Sequence, residues 1–123
     1  MGIYYTDCFV LGCNPSDTGG GYTITDHIGK VIHKETIYKK GFTNNEGEVL
    51  GIIKAIEICE PASEIYSDSS CAIAWIRKGK SKVRNDLNEI LSKGRDMARE
   101  KKCEVIWISR EENLAGLVNE GKL

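Results

Sequence analysis

Residues 2–10 alternate apolar and polar side chains and are rich in aromatic and β-branched types, which predicts a strand. Residues 12–21 (Gly-Cys-Asn-Pro-Ser-Asp-Thr-Gly-Gly-Gly) have turn chemistry throughout. Strands follow over 22–25 and 30–38, separated by the tight turn at Asp26-His27-Ile28-Gly29. Three neighbouring strands with short connections predict an antiparallel meander. The pattern then changes period. Val49, Ile52, Ile53, Ile56 and Cys59 recur at helical spacing behind Thr43-Asn44-Asn45-Glu46, which fits a capping box, and Pro61 ends the helix. A short buried strand at 65–67, a helix over 69–77 broken by Gly79, and a polar amphipathic helix over 84–101 come next. A last strand at 105–108 and a closing helix over 109–120 complete the order. A meander followed by strand–helix alternation predicts an α/β fold with a mixed five-stranded sheet, three strands antiparallel and the later ones parallel, flanked by helices.

At 123 residues, with no repeat or low-complexity stretch, the chain reads as a single domain over 1–123. No apolar run approaches the roughly 20 residues of a membrane span, and no secretory signal is visible at the start. The five cysteines (Cys8, Cys13, Cys59, Cys71 and Cys103) lack any Cys-x-x-Cys pair, which argues against zinc. They read as reduced intracellular thiols, mostly small core residues, and the expected location is cytoplasmic. A net charge of −1 does not announce a nucleic-acid binder. Basic residues nonetheless cluster at Arg77, Lys78, Lys80, Lys82 and Arg84, and again on the helix at Lys93, Arg95, Arg99, Lys101 and Lys102. A solvated helix face and a phosphate-contacting ridge both fit that pattern.

Three acids sit where solvation explains them poorly. Asp7 interrupts the first strand, Glu48 opens the apolar stripe of the first helix, and Asp68 ends the fourth strand. Glu46 is the competing helix acid, but the capping box gives it a structural job. Packing of helix on sheet could bring Asp7, Glu48 and Asp68 together at one end of the sheet, near the carboxyl ends of the parallel strands. Three carboxylates at close range repel one another unless a divalent cation relieves them, and oxygen-only donors favour Mg²⁺ or Mn²⁺. His27 and His33 fall in the second hairpin and read as surface residues.

Thr6-Asp7, the Asn14-Pro15 and Gly19-Gly20-Gly21 loop, Thr43-Asn44-Asn45-x-x-Glu48 and Tyr66-Ser67-Asp68-Ser69 together resemble type 1 ribonuclease H. Trp107-Ile108-x-Arg110-Glu111-x-Asn113 looks like the last strand and following loop of the same family. The resemblance spans nearly the whole chain in the right order. It implies the ribonuclease H-like fold in a short variant and an endonuclease that cuts the RNA strand of an RNA/DNA hybrid with two Mg²⁺ ions, Mn²⁺ substituting. It further implies catalysis and metal binding by Asp7, Glu48 and Asp68. Asn14, Thr43, Asn44, Asn45, Arg77, Lys78 and Lys80 would contact substrate, and the lysines and arginines from Arg77 to Arg84 would be a partial stand-in for the family's basic protrusion. The chain is expected to act as a monomer with no protein partner and no membrane.

Four departures follow. The family's fourth acid, from a pattern resembling Asn-x-x-Ala-Asp, falls on Leu117 when counted from Asn113 and on Gly116 when matched on Ala115. Glu120 lies three or four residues beyond either position and could substitute; Glu112 fits only the Gly116 register. Cys8 stands where the family has glycine, the segment from Arg77 to Arg84 is too short for the extra helix, and the final loop carries no histidine. A catalytically impaired hybrid- or RNA-binding module is therefore the alternative to the enzyme. A small-molecule enzyme is disfavoured, because Gly19-Gly20-Gly21 leads into a strand rather than a helix.

Overall fold

A computed structural model describes residues 2–123. Five strands, β1 (Ile3–Val10), β2 (Gly19–Thr25), β3 (Val31–Tyr38), β4 (Glu64–Ser67) and β5 (Glu104–Trp107), form one sheet in the order β3-β2-β1-β4-β5. The first three pair antiparallel, and β4 runs parallel to both β1 and β5, as the change of period predicts. The helices are α1 (Asn44–Ile58), α2 (Ser70–Lys78), α3 (Asn88–Lys101) and α4 (Leu114–Asn119). None of them is long and apolar enough to cross a membrane.

The core lies between the sheet and α1, with α2 and α3 behind. Ile24, Val49, Ile52, Ile56, Ile65, Leu91 and Phe42 are wholly buried there. Helix α1 is packed against β1 and β2 on one side and α2 and α3 on the other. Nine of its fifteen residues are buried, so its apolar stripe is wider than a surface helix needs. A Cβ at Gly47 would come within 2.8 Å of the Cys8 Cβ, so the missing side chain is what allows α1 to sit this close to β1.

Several local expectations are corrected. Gly19-Gly20-Gly21, expected in a turn, are buried residues of β2. A Cβ at Gly21 would lie 1.9 Å from the Glu35 carbonyl oxygen and 2.7 Å from the Phe9 ring, and one at Gly20 2.6 Å from the Phe42 ring, so close strand packing selects these two, while Gly19 also has a φ of +132° that favours glycine. Only half of the capping box forms. The Thr43 hydroxyl accepts from the Glu46 N–H, but the Glu46 carboxylate turns away to Lys39 Nζ (2.6 Å) and Arg84 Nη2 (3.3 Å). The two cations compete successfully with the backbone N–H for the buried Glu46 carboxylate because a charge-assisted pair is the stronger partner. The helices expected over 84–101 and 109–120 both begin with a single 3₁₀ turn, at Asn85–Leu87 and Arg110–Glu112, before α3 and α4. Asn113 separates the second turn from α4 by capping the helix with its side-chain oxygen. Of the cysteines, only Cys8 and Cys59 are buried; Cys13 and Cys71 are exposed. His33 is half-buried with its ring stacked on Tyr22, and His27 is exposed, both in the β2–β3 hairpin region and away from the acids.

Candidate metal centre and adjoining groove

β1 pairs with β4 only from Ile3 to Tyr5. Beyond Tyr5 the two strands part, and backbone groups of β1 that faced β4 lose their strand partners. Side chains take them up, since buried peptide groups are costly when unpaired. The Cys8 N–H donates to Glu48 Oε1 at 3.0 Å, Asn113 Nδ2 donates to the Thr6 carbonyl at 2.9 Å, and Asn119 Nδ2 reaches the Cys8 carbonyl at 3.5 Å. This crevice at the carboxyl ends of the parallel strands is where the three expected acids meet.

Asp7, Glu48 and Asp68 each bring a carboxylate oxygen into a group whose members lie within 4.8 Å of one another. Their elements explain the meeting. Asp7 is presented by β1, Asp68 follows the last residue of β4, and Glu48 is carried by the first turns of α1, which Gly47 lets approach. Asp7 accepts from Asn119 Nδ2 at 2.9 Å, and Asp68 accepts from Asn113 Nδ2 at 3.2 Å. Asn119 is itself oriented by the Thr23 hydroxyl, which donates to its Oδ1 at 2.7 Å. A cleft of about 250 Å³ opens on the group, lined also by Cys8, Asn44, Arg110, Gly116 and Glu120.

The electrostatics match the crowding. Burial pushes the Glu48 carboxyl up to about 8, with the charges of Asp7 and Asp68 adding to the rise. Burial likewise pushes Asp7 up to about 6; the Asn119 hydrogen bond opposes this, Asp68 adds to it, and Arg110 draws it down. Two carboxyl groups held well above their ordinary range, supplied only by hard oxygen donors, fit a divalent cation of the Mg²⁺ or Mn²⁺ kind.

Glu120 lines the same cleft and its charge raises Asp7, but its carboxylate pairs with Lys122 at 3.1 Å and lies outside the close group. Glu112 is exposed and its carboxylate accepts from the Ser109 hydroxyl. The register ambiguity resolves. A Cβ on Gly116 would stand 3.6 Å from the Asp7 Cγ, an ordinary contact, so position 116 is the one that faces the acids.

A second cleft of about 360 Å³ is lined by Asn14, Pro15, Thr43, Asn44, Asn45, Trp75, Val83 and Arg84. Asn44 lines both clefts, so the two are neighbours. The four polar residues expected in a groove are thus gathered: Asn14 Oδ1 accepts from the Asn44 N–H at 3.0 Å, and the Cys8 thiol donates to the Asn44 side-chain oxygen. The basic residues are distributed differently from expectation. Arg77 points to the opposite side of α2 and donates to the Val105 carbonyl on β5, while Lys78 and Lys80 are exposed and line neither cleft. Arg84, the last basic residue of the same segment, lines the groove, donating to the Thr43 hydroxyl at 2.8 Å and pairing with Glu46 and Asp86. Trp75, Arg110 and Asn119 are residues that the sequence pattern left without a role. Asn119 had no signal beyond being a polar residue on a short apolar helix.

The sequence model of the reverse transcriptase-like family matches residues 6–116. The chain belongs to that family. Among solved structures of family members' fold, LC11-RNase H1, isolated from compost and crystallised in complex with RNA/DNA hybrid, is 29% identical with a TM-score of 0.61; the match covers 90% of this chain and 87% of that one. The N-terminal RNase H domain of Rv2228c from Mycobacterium tuberculosis shares 19% identity (TM-score 0.63; 98% and 91% covered). RNase H1 of Halobacterium salinarum shares 21% (TM-score 0.59; 98% of each chain). These two support the fold alone. No protein of curated function matches the chain significantly. The family assignment bears out the likeness to type 1 ribonuclease H in a small variant and the mixed five-stranded architecture.

The Asn119 contact carries its own prediction. Replacing Asn119 by alanine removes the hydrogen bond that lowers Asp7, so the Asp7 carboxylate holds its proton more tightly and the proton competes better with a cation for it. Mn²⁺ affinity measured by titration calorimetry should fall about tenfold at pH 6 and change little at pH 8.5. An equal loss at both pH values would show that Asn119 acts through shape and not through Asp7.

Proposed function

We propose that this chain is an endonuclease hydrolysing the RNA strand of RNA/DNA hybrids with two divalent ions, Mg²⁺ or Mn²⁺. One observation carries the reading: three carboxylates, Glu48 buried and Asp7 and Asp68 half-buried, converge within 4.8 Å in a strand crevice beside a polar groove. The hybrid in the LC11-RNase H1 complex supports the substrate class.

In this reading Asp7, Glu48 and Asp68 hold the ions. Bound there, the ions would make the attacking water more acidic and stabilise the leaving oxygen. The chain's own groups fix the ligands. The Cys8 N–H holds Glu48, Asn119 holds Asp7, and Asn113 holds Asp68 while also bonding β1, so the three acids cannot swing apart without breaking strand contacts. Arg110 contributes positive charge at the same cleft. Asn14, Thr43, Asn44 and Asn45 would meet minor-groove edges and phosphates, and the 2′-hydroxyl would distinguish the RNA strand. The Arg84 guanidinium, already held by Asp86, Glu46 and Thr43, would fix the Thr43 hydroxyl in the groove and add positive charge beside it. Arg77, Lys78 and Lys80, proposed contacts on sequence grounds, are left to more distant phosphates by their placement.

Gly116 favours a second reading, a hybrid-binding module with weakened metal binding, because the place beside Asp7 carries no carboxylate. Gel analysis of end-labelled hybrid, duplex RNA and duplex DNA, with Mg²⁺ or Mn²⁺, separates the two. Internal cuts confined to the RNA of the hybrid are the expected result. Hybrid retention without cuts in either metal would select the binding module.

A further inference from the structure

Far from the acids, two thiols meet. Cys59 caps the C-terminal end of α1, and Cys103 lies between α3 and β5, 44 positions along the chain, yet their Sγ atoms are 3.2 Å apart. A disulfide bond is roughly 2.05 Å long, so the sulfurs have little more than an ångström to close. The two segments are already tied to each other. Lys101 Nζ donates to the carbonyls of Ile56 (2.9 Å), Glu57 (2.7 Å) and Cys59 (2.8 Å), and the Ala62 N–H donates to the Lys101 carbonyl at 2.8 Å.

We propose that Cys59 and Cys103 are a site of reversible intramolecular disulfide formation, made by exchange with a low-molecular-weight disulfide such as oxidised glutathione. Cys103 is the partly exposed member and therefore the entry point, while Cys59 is 3% exposed. Burial holds the Cys59 thiol up at about 11, opposed by the neighbouring Lys101 charge, so it acts second. Cys103 releases its proton to solvent, its thiolate attacks one sulfur of the reagent, and one glutathione thiolate leaves. Cys59 then gives up its proton and attacks the Cys103 sulfur, expelling the second glutathione thiolate. The protein gains one S–S bond and loses two S–H bonds, and the reagent becomes two thiols.

The cross-link would close a long loop, constraining the unfolded chain strongly while leaving the crevice alone. Cys59 lies eleven positions beyond Glu48, about 16 Å along the axis of α1. The test is peptide mapping after treatment with oxidised glutathione, together with thermal unfolding in oxidised and reduced buffer. A Cys59–Cys103 cross-linked peptide is expected, with an upward shift in Tm of roughly 10 °C that dithiothreitol reverses. Neither should occur in Cys103→Ser. In Cys59→Ser, a stable glutathione adduct should accumulate on Cys103, since the resolving thiol is gone. A wild-type chain carrying that adduct on Cys103 with Cys59 free would overturn the proposal. So would an unmodified pair, or a cross-link that leaves Tm unchanged.

Discussion

Asp7→Asn is expected to reduce hybrid hydrolysis by on the order of a thousandfold or more, and at the same time to make the metal-free protein more stable at pH 8. Both effects have one cause. Asp7 sits among acids in a partly dry crevice, its folded pKa raised from 3.8 to about 6, with Glu48 raised from 4.5 to about 8. A carboxyl whose folded pKa lies above its unfolded value binds more protons folded than unfolded. The stability it contributes is therefore complete below about pH 4 and is lost as the pH climbs through 6 and 8. In chelator, thermal scans should show Tm falling across that window and levelling above it. Removing the Asp7 charge should recover stability on the order of 2–3 kcal/mol at pH 8, with relief of Glu48 adding to it. Added Mg²⁺ should reverse the trend, stabilising the native chain more at pH 8.5 than at pH 5, because the cation binds the deprotonated acids. In Asp7→Asn that Mg²⁺-dependent gain should be small. A variant that loses activity yet gains no stability in chelator would mean that Asp7 is not strained by its neighbours, and the cation reading would lose its electrostatic basis.

The acids were legible because a charge within an apolar period stands out in one dimension. Asp7, Glu48 and Asp68 each broke a local pattern, and the change from strand meander to strand–helix alternation told where their elements would converge. What the sequence hid were contacts made by residues that break no pattern. Glu46 looked committed to a capping box, but Arg84, 38 positions away, outcompeted the helix's own N–H groups for it. That capture also places Arg84, the last of the basic residues from Arg77 onward, in the groove beside Thr43. A helix face cannot be chosen from charge alone: the Arg77 guanidinium donates to a carbonyl of β5, the sheet's edge strand. Asn113 and Asn119 act on backbone groups that exist only because β1 and β4 diverge, and no residue near either strand signals that divergence. Gly19-Gly20-Gly21 misled for a related reason: glycine serves tight turns and tight strand packing equally well, and only the neighbouring Phe9 and Phe42 rings decide between them.

Gly116→Asp should lower the Mg²⁺ concentration needed for half-maximal cleavage by about 10- to 100-fold, the range by which added or lost metal-shell groups change affinity. The backbone and the first side-chain carbon are accommodated without a clash. A Cβ at 116 meets nothing nearer than 3.6 Å, its nearest atoms belong to Asp7 and Asn113, and the residue has no positive φ that would strain a side chain. One more acid beside Asp7 has an opposite consequence when no cation is present. It adds repulsion to a carboxyl already raised to about 6, so the variant should unfold at a lower temperature than the native chain in chelator at pH 8 and at a higher one in saturating Mg²⁺. Gly116→Asn fills the same space without the charge. It should shift neither the Mg²⁺ midpoint nor the chelator Tm by a comparable amount. The pair therefore separates charge from packing. If the asparagine variant reproduces the gain in metal affinity, filling the cleft beside α4 is the active ingredient. If neither variant changes the midpoint, the crevice already supplies all the ligands the cations use, and Glu120, despite its pairing with Lys122, becomes the fourth acid to test.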